Sequence, residues 1–141
     1  MLVGVGSTYL LTGEILVVGR EWEKIMENLK RVIRQFVKER DWEQFHSPKN
    51  LAMALSVEIA EIVEHFQWLT QEQSRNLPPE KVREVAQEIG DVMIYLVELS
   101  DQLGVNPIEA ATKKVGSNSS KYPADLVKGK AAKYTEYQAA E

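Results

Sequence analysis

Residues 51–66 read LAMALSVEIAEIVEHF, and residues 82–99 read VREVAQEIGDVMIYLVEL. Both place apolar side chains at steps of three and four: Leu51, Leu55, Ile59, Ile62 and Phe66 in one, Val82, Val85, Ile89, Val92, Leu96 and Leu99 in the other. That period is the mark of an amphipathic helix turning one face to a core. Each stretch also carries two acids three residues apart, Glu58 with Glu61 and Glu88 with Asp91. At about 100° per residue, Glu58 falls inside the arc of Leu51, Leu55, Ile62 and Phe66, and Glu61 lies at its edge. Glu88, Asp91 and Tyr95 follow one flank of the stripe formed by Val85, Ile89, Val92 and Leu96.

Working outward, Trp22, Ile25, Met26, Leu29, Val32, Ile33 and Phe36 predict an earlier helix from Glu21 with one buried stripe. The rhythm breaks between Glu39 and Pro48, and Ser47 or Asn50 is the expected cap of the second helix, which runs to about Trp68. A polar connection through Ser74, Arg75 and Asn76 leads to Pro78 and Pro79, where the third helix opens, and Gly104 stops it beyond Leu103. Pro107 opens a short fourth helix to about Val115, Gly116 to Ser120 reads as a loop, and a weak helical stretch covers Leu126 to Tyr137. The expected fold is all-α, a bundle of about four to five helices within one chain or between chains. Residues 1–20 are apolar and Gly-rich, without a basic start, and predict an N-terminal arm outside a working domain of residues 21–141.

The bulk composition narrows the chemistry. A chain of 141 residues is one domain's worth and buries a core without staples. Cysteine is absent, which excludes disulfides, thiol nucleophiles and thiolate metal sites and fits a reducing, cytoplasmic compartment. Two histidines are too few for a multi-histidine zinc site. The formal net charge of −4 argues against a nucleic-acid polymer as partner. No apolar run approaches the roughly 18–20 residues of a membrane span, so no membrane partner is expected.

Ionised carboxylates at the border of a core face cost several kcal/mol unless paired or bound to metal. Four brought together repel one another, and a divalent cation removes the conflict. Mg²⁺ suits an all-oxygen set and keeps positions for water and phosphate. Spacing alone leaves two readings open, a metal site and a pair of solvated acidic faces. Glu64, Glu72, Glu80 and Glu98 read as ordinary surface charges. A di-iron carboxylate bundle needs Glu-x-x-His steps; Glu61 is followed at that step by Glu64, and the third helix has no histidine.

The strings Glu39-Arg40-Asp41-Trp42, Gln44-Phe45-His46, Pro48 and Asn50-Leu51 precede Glu58-Ile59-Ala60-Glu61 and Phe66-Gln67-Trp68. Glu88-Ile89-Gly90-Asp91-Val92, Tyr95-Leu96, Asn118, Tyr122-Pro123 and Lys133-Tyr134-Thr135 follow. Together, from about Leu29 to Tyr137, they resemble the all-α MazG-like nucleoside triphosphate pyrophosphohydrolases of the dCTP pyrophosphatase branch.

The resemblance implies hydrolysis between the α and β phosphates, dCTP or a modified dCTP foremost, in nucleotide-pool sanitation. It implies Mg²⁺, with Mn²⁺ as a substitute, on Glu58, Glu61, Glu88 and Asp91, and Glu61 is the candidate to orient or deprotonate water. Trp42, His46, Trp68 and Tyr95 would surround the base or sugar, although without the family each tryptophan reads as core and His46 as a loop hydrogen bond. Lys114, Asn118, Lys121 and Tyr122 would contact phosphates. The family pattern often has an acid near Gly116 and an arginine near Ser119; both are missing here, with Lys121 the replacement for the second. His65 reads as a helix-surface residue. Homodimer or homotetramer assembly is expected. Two other readings stay open: the same chemistry on dUTP or a broad nucleotide range, and a non-catalytic helical interaction module.

Overall fold

The two acid-bearing stretches become the two helices that pack most extensively on each other, α2 (Pro48–Phe66) and α4 (Pro79–Gln102). The computed structural model describes residues 12–131, with side chains from Glu21 onward. The remaining elements are α1 (Thr12–Lys38), a 3₁₀ turn (Glu43–Phe45), α3 (Gln71–Arg75), α5 (Pro107–Lys121) and α6 (Ala124–Val127). The described residues contain no strand, and no helix among them is long and apolar enough to cross a membrane. The chain divides into two compact units, one ending at Gln102 and the other beginning at Leu103.

Local chemistry explains most of the boundaries. Ser47 is extended and its hydroxyl accepts from Asn50 N, while Pro48 fills the first helical position of α2. The Asn50 side chain is used elsewhere, donating to the Phe45 carbonyl at 2.9 Å and tying the 3₁₀ turn to α2. Gly104, at φ +64°, ends the run after α4 in the left-handed region where glycine is unstrained.

Several elements differ from expectation. α1 begins at Thr12, not Glu21, so the second half of the expected arm is helical; residues 1–11 lie outside the described residues. Propensity penalties of a few tenths of a kcal/mol per residue are small once a helix exists to extend. α5 runs through the expected loop to Lys121, with the Ser119 and Ser120 hydroxyls folded back on the Val115 and Gly116 carbonyls one turn earlier. The polar connection contains α3, started by a Thr70–Gln73 capping box. α6 stops at Val127 ahead of Gly129 (φ +74°), short of the expected end at Tyr137, and residues from 132 lie outside the described ones.

The expected single stripe of α1 splits in two. Ile33 and Val37 are buried with Val97 of α4, and Met26 and Leu29 pack against them. Trp22, Ile25, Val32 and Phe36 stay exposed. Arg34 locks α1 to α4 through a two-point contact with Asp101, Nε to Oδ2 at 2.6 Å and the second amine to Oδ1. That hydrogen bond and the guanidinium charge hold the Asp101 carboxyl below its usual range.

Candidate active site

α2 and α4 run antiparallel, as three sets of side-chain contacts show. His46, just before α2, meets Glu98 late in α4. In mid-helix, Glu58 meets Glu88 and Asp91. Near the end of α2, His65 meets Lys81, Glu84 and Glu88 early in α4. The acid cluster thus sits at the centre of the helix pair, with a polar group at either end.

Carboxylate oxygens of Glu58, Glu88 and Asp91 all lie within 4.8 Å of one another. Glu58 and Glu88 are half-buried and Asp91 is exposed. Glu61 is exposed and outside this tight group, yet its charge reaches Glu58. Burial, then the charges of Glu61, Asp91 and Glu88, push the Glu58 carboxyl above its ordinary range. No protein cation is bound to the Glu58 and Asp91 carboxylates among the described contacts; only His65 approaches Glu88, at 4.0 Å. Three convergent hard oxygen donors in mutual repulsion are the donor chemistry that a divalent cation satisfies. His65 itself is half-buried, with Nδ1 accepting from Lys81 Nζ at 3.4 Å, so it is not the simple surface residue expected.

Tyr95 lies one turn beyond Asp91. Burial and the nearby charges of Glu58, Glu98 and Asp91 raise its phenol above the usual range, keeping it a neutral hydrogen-bonding group. Next along the same face is Glu98. It is not the ordinary surface charge expected: its side chain is 11 % exposed and meets His46 Nδ1 at 3.0 Å. The signal was present in the sequence, since Asp91, Tyr95 and Glu98 repeat at steps of four and three.

Trp42 is aimed by the end of α1. Asp41 takes a left-handed φ of 54°, and the Asp41 and Trp42 amides donate back to the Lys38 and Val37 carbonyls, a Schellman-type termination. The turn lays the indole edge-on to Phe36, with centroids 5.8 Å apart, and 6.2 Å from the His46 ring. Trp42 and His46, two of the four residues named for the base, are therefore neighbours. Trp68 does not join them within one chain: it is 87 % exposed, just past the opposite end of α2.

The four expected phosphate residues belong to the second unit. Lys114, Asn118 and Lys121 lie on α5 at helical steps of four and three, which is one face. Tyr122 is the C-cap, its amide donating to the Asn118 carbonyl at 2.8 Å.

The MazG-like family model matches residues 53–137, a span that contains all four acids. The chain belongs to the MazG-like family. Relatives of known name agree. Mouse dCTP pyrophosphatase 1 is 40 % identical over 116 residues, covering 81 % of this chain and 68 % of the relative. Human dCTP pyrophosphatase 1 is 39 % identical over the same length, with the same coverage. A crystal structure of a pyrophosphatase from Archaeoglobus fulgidus superimposes with a TM-score of 0.66 at 42 % identity, covering 70 % of this chain and 92 % of that one. On these likenesses the chain falls on the dCTP pyrophosphatase branch of the MazG-like family.

Proposed function

We propose that this MazG-like protein hydrolyses dCTP, or a modified dCTP, to the nucleoside monophosphate and pyrophosphate, clearing surplus or non-standard nucleotides from the cytoplasmic pool. Membership of the family and the dCTP pyrophosphatase relatives make it a nucleoside triphosphate pyrophosphohydrolase. The observation that carries the reading is the convergence of the Glu58, Glu88 and Asp91 oxygens within 4.8 Å inside the family-matched span.

Glu58, Glu88 and Asp91 would hold Mg²⁺, with Mn²⁺ as substitute, and Glu61 completes the acidic set. Such a cation supplies charge neutralisation for triphosphate oxygens. Glu61, exposed like Asp91 but outside the tight group, would orient the attacking water and take its proton as the bond between the α and β phosphates breaks. Trp42 offers an indole for the base to stack on, with His46 beside it and Tyr95 between this platform and the acids. Lys114, Asn118, Lys121 and Tyr122 would supply donors for phosphate oxygens, with Lys121 in place of the family's usual arginine.

The working form is a homodimer or homotetramer. A single chain leaves Val82, Ile89, Met93 and Leu96 exposed along one face of α4, and Trp22, Ile25, Val32 and Phe36 along α1, more apolar surface than a lone helical unit normally presents. The deciding assay incubates purified protein and Mg²⁺ with dCTP, 5-substituted dCTP, dUTP and the purine triphosphates, measuring pyrophosphate and orthophosphate separately. Pyrophosphate, fastest from cytosine nucleotides, is expected. Orthophosphate alone would overturn the assigned bond.

A further inference from the structure

Glu98 carries a consequence for base choice. A carboxylate accepts hydrogen bonds and does not donate them, so the 3.0 Å contact places a proton on His46 Nδ1. A neutral ring so held keeps its unshared pair on Nε2, which makes Nε2 an acceptor. The surrounding charges leave the pair to itself. On α1, Arg34 is engaged by Asp101, and Lys30 reaches Glu27 at 3.0 Å and Asp101 at 3.9 Å. Glu43 of the 3₁₀ turn lines the same small pocket as a further acid. None of these side chains bonds to the imidazole among the described contacts, so Glu98 alone sets its tautomer.

The ring stands 6.2 Å from the Trp42 indole, tilted by 43°. A pyrimidine stacked on that indole would lie beside the imidazole. We propose that Glu98 is a positioning residue that fixes His46 as an acceptor at Nε2 and thereby favours a pyrimidine bearing a 4-amino group over one bearing a 4-oxo group. The amino group donates to Nε2, whereas the oxo group would set two acceptors against each other. The inference rests on the reading that the base stacks on Trp42 beside His46.

Two measurements test it. The first is the ¹⁵N spectrum of the imidazoles in the intact protein, which has two histidines, with His65→Gln to assign them. His46 should carry its proton on Nδ1; a proton on Nε2 overturns the proposal without any variant of Glu98. The second compares kcat/KM for dCTP and dUTP in the wild type and in Glu98→Met, which removes the acceptor at similar volume. The dCTP-to-dUTP ratio should fall roughly ten- to a hundredfold, the scale of one mismatched hydrogen bond. Equal loss on both nucleotides would mean that Glu98 serves folding alone, and the proposal fails. The two failures are distinct. No pyrophosphate from either nucleotide with the wild type overturns the functional reading, whereas an active wild type and an unchanged ratio overturn the role of Glu98.

Discussion

Replacing Glu58 with Gln should make the metal-free protein more stable and the enzyme much slower. At 4.8 Å, the limit that bounds the Glu58, Glu88 and Asp91 oxygens, two like charges repel by about 0.9 kcal/mol in water and about 3.5 kcal/mol at an effective dielectric of 20. Asp91 is exposed and the other two only half-buried, so solvent screening favours the lower figure. Glu58 faces two such neighbours, about 2 kcal/mol in all. The sign follows from proton binding. The Glu58 carboxyl titrates above its ordinary range in the folded state, so the fold binds that proton more tightly than the unfolded chain does. The metal-free fold therefore loses stability as pH rises through that interval and has not regained it at neutral pH. Glutamine removes the charge at nearly constant shape and should raise the melting temperature in EDTA by about 7 °C for a chain of this size. Magnesium should reverse the order. At a hundredfold excess over its dissociation constant, a bound ion adds about 2.7 kcal/mol to the wild type. Glu58→Gln should gain much less and lose about two orders of magnitude in pyrophosphate release. Calorimetry at fixed pH and protein concentration, with EDTA and with Mg²⁺, reads both effects. A lower melting temperature for Glu58→Gln in EDTA, or a wild type indifferent to magnesium, would refute the reasoning.

Three further outcomes are expected. Asp101, held below its usual range by Arg34, contributes stability above the ordinary aspartate interval that is lost as pH falls through the depressed folded value; Asp101→Asn should flatten the acid limb of a melting-temperature profile against pH. Trp42→Ala should raise KM for the triphosphate roughly ten- to a hundredfold, the scale of a base stack, while leaving the Mg²⁺-induced melting shift intact. Met93→Glu, on the exposed apolar face of α4, should shift the mass in light scattering to that of one chain; an unchanged mass rules that face out as the subunit contact.

What was legible in the sequence was local. Two acids three residues apart on an amphipathic helix declare their shared face without tertiary knowledge, and Glu58, Glu88 and Asp91 do converge. Ser47 as a cap and Gly104 as a stop follow from the preferences of single residues. The misreadings came where composition and context disagree. Gly116 to Ser120 has loop composition, yet α5 continues through it with its Ser119 and Ser120 hydroxyls folded back on the preceding turn. Glu98 continues the face of Asp91 and Tyr95, but its partner His46 lies 52 residues away, so no local pattern named what it meets. The stripe on α1 was visible, but not that Ile33, Met26 and Leu29 of it, joined by Val37 from outside it, would gather round Val97 while the rest stayed exposed.

The position of Trp68 connects the site to assembly. α2 spans 19 residues from Pro48 to Phe66, about 27 Å at 1.5 Å per residue. Trp42 is tied near the start of that helix through Phe36 and His46, and Trp68 follows its end. One chain therefore offers one indole at each end of the acid cluster, too far apart to hold the same base. A site containing both needs two chains with their α2 helices reversed, so that the end of one lies beside the start of the other. Such a pairing brings the second copy's acids near the middle of the first, which concentrates negative charge and increases the demand for a cation there. If one base takes both indoles, a single act of association would complete the base site and raise its demand for a cation, and Trp68, exposed in one chain, is free to enter such a contact.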